Sequence, residues 1–399
     1  MEKEAQPDLL KVIAKKLNKS TLIVLFGLFT ILLVLLISRS GGIRQDLLLT
    51  DPAGLNYLTA DIVKVKEEGF NEILGQEYRY QILQVKLEDG SEAELRNDIQ
   101  PGAEDSQRVH EGESVVLSKI STEEGDQYVI ADKFRVPSVI LIFALFFVLT
   151  IIFAGLKGLS SMLGLMFTIY VLIDFVVPRI VNGQDPLLIS LIGSAIIAFV
   201  SIYMAHGFNK RTTVALAGTM VTIMIAMVLA LFFVSVAQLS GTGSEEALLL
   251  NVSSTMQINL RGLLLGGMIF GVLGVLDDVT TAQAAAVDEI KKANPKLGFE
   301  ELYQGGISVG KEHIVSLVNT LVLAYIGSSF PLLLLFSLNQ GVPLWITLNS
   351  EFIMEEVIRT LVGSTALIFA VPITTVMAAF VFARHTSTGK AEPQHLHKH

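Results

Sequence analysis

The strongest constraint in this 399-residue chain is a series of apolar runs long enough to cross a lipid bilayer. Seven of them, each 17 residues or longer, fall at 137–154, 159–177, 187–204, 213–237, 260–276, 314–338 and 357–383, and an eighth stands apart at 20–37. A helix needs about 17 to 25 apolar residues to span hydrocarbon, and there its backbone must be bonded within the segment, so runs of this length predict helices. The expected fold class is an α-helical integral membrane protein of about eight transmembrane helices, one plus seven, with a small all-β domain inserted after the first. A composition of 51% apolar and 17% charged residues fits that class and not an ordinary soluble domain.

Lys and Arg are retained on the cytoplasmic side of short loops, so their distribution orients the spans. Lys11, Lys15, Lys16 and Lys19 precede the first span, Lys157 follows the second, and Lys210 and Arg211 follow the fourth. Lys291, Lys292, Lys296 and Lys311 follow the sixth, and Arg384, Lys390 and Lys398 the eighth. With eight spans all of these share one side, and only Arg179, Arg261 and Arg359 face the other, so both termini are expected to be cytoplasmic. The division is a basic leader at 1–19, an anchor at 20–37, an extracytoplasmic domain at 38–136, a seven-helix membrane domain at 137–383 and a cytoplasmic tail at 384–399. A cleaved signal peptide is the alternative to the anchor. The flank Ile37-Ser38-Arg39-Ser40 lacks a clear small-x-small cleavage site, which favours the anchor.

The formal net charge of -9 belongs to residues 38–136, which hold 20 acidic and 11 basic side chains, while the remainder balances at 18 and 18. Short alternating runs at 59–66, 78–87, 93–97, 114–121 and 127–133, separated by Gly- and acid-rich turns, predict five strands. Five strands in this space suggest a small barrel of oligonucleotide-binding-fold type, an architecture that does not name a ligand. Nucleic acid is not expected on so acidic a surface. The carboxylates are either a solvated face or a vestibule that attracts cations. The chain has no cysteine, which excludes disulfides, iron-sulfur clusters and thiol catalysis.

Ionisable or polar groups within spans are expensive and therefore candidates for function or for structural pairs. Asp174 lies near the end of the third span, where it either lines a path or pairs with Arg179. Asp277 and Asp278 close the sixth, followed by Thr280, Thr281, Gln283, Asp288 and Glu289, a polar stretch that either lines a cavity or lies on the membrane surface. Gly262, Gly266, Gly267, Gly271 and Gly274 precede them at spacings of about four, which lets another helix approach closely. Asn319 and Thr320 lie early in the seventh span, and Glu355 and Arg359, at i and i+4, form an expected ion pair at the start of the eighth. Pro331 and Pro372 are expected helix breaks, which mark either a substrate path or simple kinks. Residues 305–312, Gly-Gly-Ile-Ser-Val-Gly-Lys-Glu, satisfy most of the phosphate-loop pattern, but Glu312 stands where magnesium binding needs Ser or Thr. The His-containing tail at 394–399 is read as unstructured. No catalytic residue, metal or cofactor is expected.

Three blocks together make the chain resemble the YibE/YibF-like bacterial membrane proteins. They are Gly271 to Val279 with Glu289-Ile290 and Asn294-Pro295, then Asn319 to Tyr325, then Glu356 to Arg359 with Gly363-Ser364 and Ala370 to Ile373. The resemblance covers most of the chain and implies an N-terminal anchor, a β-rich extracytoplasmic portion and seven further spans in a bacterial plasma membrane. The family's aspartate before valine corresponds to Asp278, whereas Asp277 stands where the family often has an apolar residue. What it implies is a permease-like topology rather than a chemistry.

The leading expectation is a non-enzymatic transporter or permease-like protein for an ion or small solute, without its own ATPase, with Asp278, Asn319 and Arg359 lining the path and Asp174 and Asp277 as further candidates. The alternative is a membrane scaffold or envelope-stress factor whose β-domain binds a protein partner; besides the bilayer, a second copy in a homo-oligomer is the other partner considered. An aspartyl hydrolase using Asp174 and Asp277 is disfavoured, because the two lie near opposite faces and cannot share a water. Sidedness is directly testable, since introduced cysteines are the only ones present. Ser91→Cys should react with an impermeant maleimide in intact spheroplasts and Lys296→Cys only after lysis; the reverse pattern would invert the topology.

Overall fold

The computed structural model describes residues 56–73, 76–100, 102–122, 125–253, 258–331, 334, 341 and 343–384. The expected leader, the span at 20–37 with its cleavage alternative, and residues 385–399 of the tail lie outside them. The chain divides into two compact units, Met1–Leu149 and Thr150–His399.

In the first unit the five expected strands form as β1 (Asn56–Ile73), β2 (Gln76–Leu87), β3 (Glu92–Ile99), β4 (Ser114–Thr122) and β5 (Gly125–Lys133). A short helix, α1 (Glu104–Gln107), lies between β3 and β4. The sheet is antiparallel in the order β3-β2-β1-β4-β5, a curved half-barrel. β1 is longer than the alternation predicts because bulges between Ile62 and Lys64 and between Val65 and Glu67 bend it, so that it pairs with β4 over Asn56 to Asp61 and with β2 from Ala60 to Ile73. Every second residue points inward, placing Ala60, Ile62, Leu83, Val85, Leu95, Val115 and Leu117 in one core. Gln81 is also fully buried there. Its amide nitrogen donates to Glu68 (2.6 Å) and to the Val109 carbonyl (3.0 Å), and its oxygen accepts from Asn97 (3.2 Å) and Val109 N–H (3.1 Å). Arg108 then holds Glu68 from outside.

Seven helices among the described residues are long and apolar enough to cross a membrane. The first two come from one stretch. α2 (Val136–Tyr170) is interrupted at Gly155, whose φ of 59° and ψ of -140° end one apolar helix and allow another to begin at Gly158. The second continues through a π-helical turn, Val171–Val176, into α3 (Val177–Val181). α4 (Pro186–His206), α5 (Lys210–Val236), a short α6 (Glu245–Ser253), α7 (Leu260–Ala293), α8 (Phe299–Ser328), a short α9 (Leu344–Leu348) and α10 (Glu351–Ala383) follow. α7 is the central helix, packed against α4, α5, α8 and α10.

Two spans differ most from their expected bounds. The sixth run, expected at 260–276, is only the first half of α7. Residues 279–293 neither lie apart on a membrane surface nor form a separate segment, because Val279, Thr280, Gln283, Ala284 and Val287 continue the buried face of the same helix. The seventh, expected at 314–338, begins earlier at Phe299 and ends at Ser328. Its first half buries only Leu302, Gly306 and Gly310 and exposes Glu300, Gln304, Lys311 and Glu312, a pattern that average hydropathy conceals. The phosphate-loop-like residues 305–312 are therefore mid-helix. Pro331 lies beyond the helix end and breaks nothing inside α8, whereas Pro372 does sit within α10.

The glycines of α7 divide by what faces them. A methyl group at Gly262 would approach Asn259 and Pro186, and one at Gly266 would meet the Ser190 side chain, its Cβ at 2.9 Å, whereas Gly271 faces only the Tyr325 hydroxyl at 3.1 Å. Nothing lies within 4 Å of such a group at Gly267 or Gly274. Gly266→Ala should therefore lower thermal stability by about 1–3 kcal/mol through overpacking. Gly274→Ala should leave it unchanged or raise it by up to about 1 kcal/mol, through helix propensity. Thermal unfolding of the two variants in one detergent compares them directly.

Candidate functional site

Along the second half of α7, each turn presents a polar side chain to a different neighbour. At the first level Asp277 Oδ2 accepts a long hydrogen bond from Ser201 of α4, 3.4 Å, and its Oδ1 is buried without a partner. At the next, the Thr280 hydroxyl meets that of Thr219 in α5 at 2.7 Å. Both threonines also reach a carbonyl of their own helix four residues back, Leu276 and Ala215. A turn further, Gln283 Nε2 donates to the Gly306 carbonyl of α8 and to Thr375 Oγ1 of α10, each at 2.7 Å, and Thr375 donates to Val371. The three levels form a polar seam through the meeting point of five helices.

Small residues make the seam possible. A methyl group at Gly306 would come within 2.7 Å of Val287 and Thr375, and one at Gly310 would collide with Val371 and reach Gln283 Oε1 at 3.0 Å, so only bare backbone lets α8 lie this close to the amide. Gly218 does the same for α5, since its missing side chain would meet Thr374 Cβ at 3.3 Å. Despite this close fit, Gln283 Oε1 and Thr374 Oγ1 are buried with no hydrogen-bond partner. Pro372, having no N–H, also leaves the Ile368 carbonyl without its helical donor. Buried acceptors without partners normally mark a place for water, an ion or another ligand.

The expected path residues do not come together. Asp278 and Asn319 are exposed on α7 and α8, and Asp174 is exposed in the π turn. Arg179 does not pair with Asp174; it donates to the Phe175 carbonyl and stacks on its ring. Arg359 pairs with Glu356 at 3.4 Å rather than with Glu355. Glu355 instead accepts from Gly243 N–H at 2.9 Å, and Glu351 accepts from Ser240, Gly241 and Thr242, so the first turn of α10 clamps the loop at 240–243. Gly271 and Gly363 both face Tyr325, which sets Arg359 level with residue 267 of α7. Asp278 is eleven residues further along, about 16 Å of helix. Asp174 stands ten residues, or about 15 Å of helix, from Gly164, which packs against Ser201, the partner of Asp277. Thr219 and Thr374 were hard to single out by sequence, because a threonine in a span can satisfy itself on its own helix.

Two polar residues of the seam should respond differently to mutation. Gln283→Leu removes two buried hydrogen bonds and should lower stability by about 1–3 kcal/mol. Thr374→Val replaces an unpartnered hydroxyl by a methyl group and should leave stability unchanged or raise it by up to about 1 kcal/mol. A large loss in Thr374→Val on thermal unfolding would show that the hydroxyl has a structural partner.

No curated protein and no solved structure matches the chain. A family model described as YibE/F-like protein matches residues 142–384, more than half of the chain and all of the helices that build the seam. Together with seven apolar helices, that match identifies a membrane protein of the YibE/F-like family.

Proposed function

We propose that the protein is a non-enzymatic, permease-like transporter that moves a cation or small polar solute along the α7 seam, without its own ATPase. The observation that carries this reading is the pair of unpartnered, fully buried oxygens on Gln283 and Thr374, set among packed helices beside the proline of α10. Oxygen acceptors with nothing to bind are costly in a core, and they suit a cation shedding its water or a water chain. Asp277, with its own unpartnered oxygen at the next levels of α7, supplies a carboxylate along the same route. Closely packed small residues leave the seam shut, so conduction requires α8 or α10 to shift at Gly306, Gly310 or Pro372.

In this reading the helical unit sits in a bacterial plasma membrane with both termini inside, and residues 38–136 are extracytoplasmic, where their charge attracts cations. The strand order, with a helix between β3 and β4, supports treating the β unit as a small barrel of oligonucleotide-binding-fold type. Its separate core and acidic surface also favour a second reading, a scaffold whose β unit holds a protein partner.

Full-length protein reconstituted in liposomes distinguishes the two. Under imposed Na+, K+ and H+ gradients, wild type should pass at least one ion. Thr374→Val should reduce that flux about tenfold or more, the effect expected for one lost ligand of about 1.4 kcal/mol, with unfolding unchanged. Absence of flux for every ion and solute tried, together with loss of phenotype on deleting residues 53–133 from a chain that still inserts, would leave the scaffold reading.

A further inference from the structure

Where α4 turns into α5, two cavities of about 270 and 430 Å³ share Arg211 in their walls. The smaller is walled by His206, Arg211, Thr212 and Thr281, and the larger by Lys210, Arg211, Asp288, Lys291 and Lys292. The site is distinct from the seam, at the ends of α4, α7 and α10 and the start of α5.

The charges around these cavities are unequally used. Lys292 is neutralised by Asp288 and Glu289, at 2.7 and 2.8 Å, and Lys291 donates to the Leu297 carbonyl at 2.8 Å. Lys210 and Arg211 have no ion-pair partner among the described residues. Arg211 is half-buried and lines both cavities. The backbone adds to this. Asn209 caps α5 by accepting from Thr212 N–H at 2.9 Å, but the N–H groups of Lys210 and Arg211, first in the helix, have no intrahelical acceptor. An independent sign comes from Thr212, which lines the smaller cavity. It is 1% exposed and its hydroxyl is buried without a partner.

Arg211 lines both cavities, with Lys210 and the first N–H groups of α5 at the larger and Thr212 at the smaller, and the carboxylates nearest to it, Asp288 and Glu289, are already bonded to Lys292, so donors are left in excess. We infer that Arg211, with Lys210 and Thr212, binds a phosphate group, carried by an anionic phospholipid or by a soluble phosphate ester. Arginine suits this because its planar fork donates two parallel hydrogen bonds to phosphate oxygens. Phe208 adjoins the site, 82% exposed and stacked on Tyr203 at 4.3 Å, an apolar surface suited to an acyl chain.

The test uses purified full-length protein in phosphatidylcholine nanodiscs. Thermal unfolding is followed with increasing phosphatidylglycerol in the disc and, separately, with inorganic phosphate in solution. At least one should raise the wild-type midpoint in a concentration-dependent manner. A response to phosphatidylglycerol alone assigns the phosphate to lipid, and a response to inorganic phosphate assigns it to a soluble ester. Arg211→Gln should weaken the response about tenfold, while Lys296→Gln, an exposed lysine outside the cavities, should not. Thr212→Val guards against a folding defect in the arginine variant, because it removes only an unpartnered hydroxyl and should still weaken the response several-fold. No wild-type response to either probe, or equal weakening by Arg211→Gln and Lys296→Gln, or full responses from both Arg211→Gln and Thr212→Val, overturns the inference.

Discussion

Acyl chains are as apolar as leucine, so lipid gives α7 no hydrophobic reason to leave it for other helices. Its association with α4, α5, α8 and α10 must rest on close contact and on hydrogen bonds between helices, and both are present. Gly266 admits Ser190 of α4, Gly306 and Gly310 bring α8 against Val287 and Gln283, and Gly218 brings α5 against Thr374. Thr280 bonds Thr219 across one interface, and Gln283 bonds both Gly306 and Thr375 across two more. Remove the close approach and these bonds cannot form, because the side chains are short. The seam is thus a product of the same small residues that hold the bundle together.

Two buried glutamines in this chain show how a structural polar group differs from one with capacity to spare. Gln81 in the β unit uses both ends of its amide, donating twice and accepting twice. Gln283 in α7 uses only its nitrogen, and its oxygen faces the bare backbone of Gly310 without a donor. Both are fully buried. The first needs nothing more to be stable, while the second retains an acceptor that a water or an ion can satisfy. That contrast, more than the number of acidic residues in the spans, directs attention to the seam. The same reasoning directs it to Thr212 beside Arg211, where donors rather than acceptors are left over.

Much of the fold was legible because its signals are local. Alternation at residues 78–87 and 114–121 marks strands, since one face of each is buried, and the extra length of β1 escaped because bulges interrupt the period. Four of the apolar runs, from 137–154 to 213–237, match helices closely because lipid contact demands apolar residues all round. The same measure failed at α8, where only Leu302, Gly306 and Gly310 are buried in the first half and Glu300, Glu301, Lys311 and Glu312 lie exposed among the other residues. Spacing also misled at Glu355 and Arg359. Helical geometry permits an i, i+4 pair, but a loop 112 positions earlier in the chain, at Gly243, offers Glu355 a backbone donor, and Arg359 turns to Glu356 instead.

By itself the sequence determined the class of the protein, an apolar helical chain carrying one acidic β-rich segment, because length, hydropathy and alternation act on each segment without reference to the others. It also determined which polar residues lie within spans. Only the tertiary structure decided which of them are used. Asp278 and Asn319 are exposed, while Gln283 of α7 bonds Thr375 of α10, 92 residues away, and both Gln283 and the neighbouring Thr374 keep an oxygen unpaired. A hydrogen bond depends on where two helices cross, and that crossing is set by the glycines and side chains of all the packed helices at once.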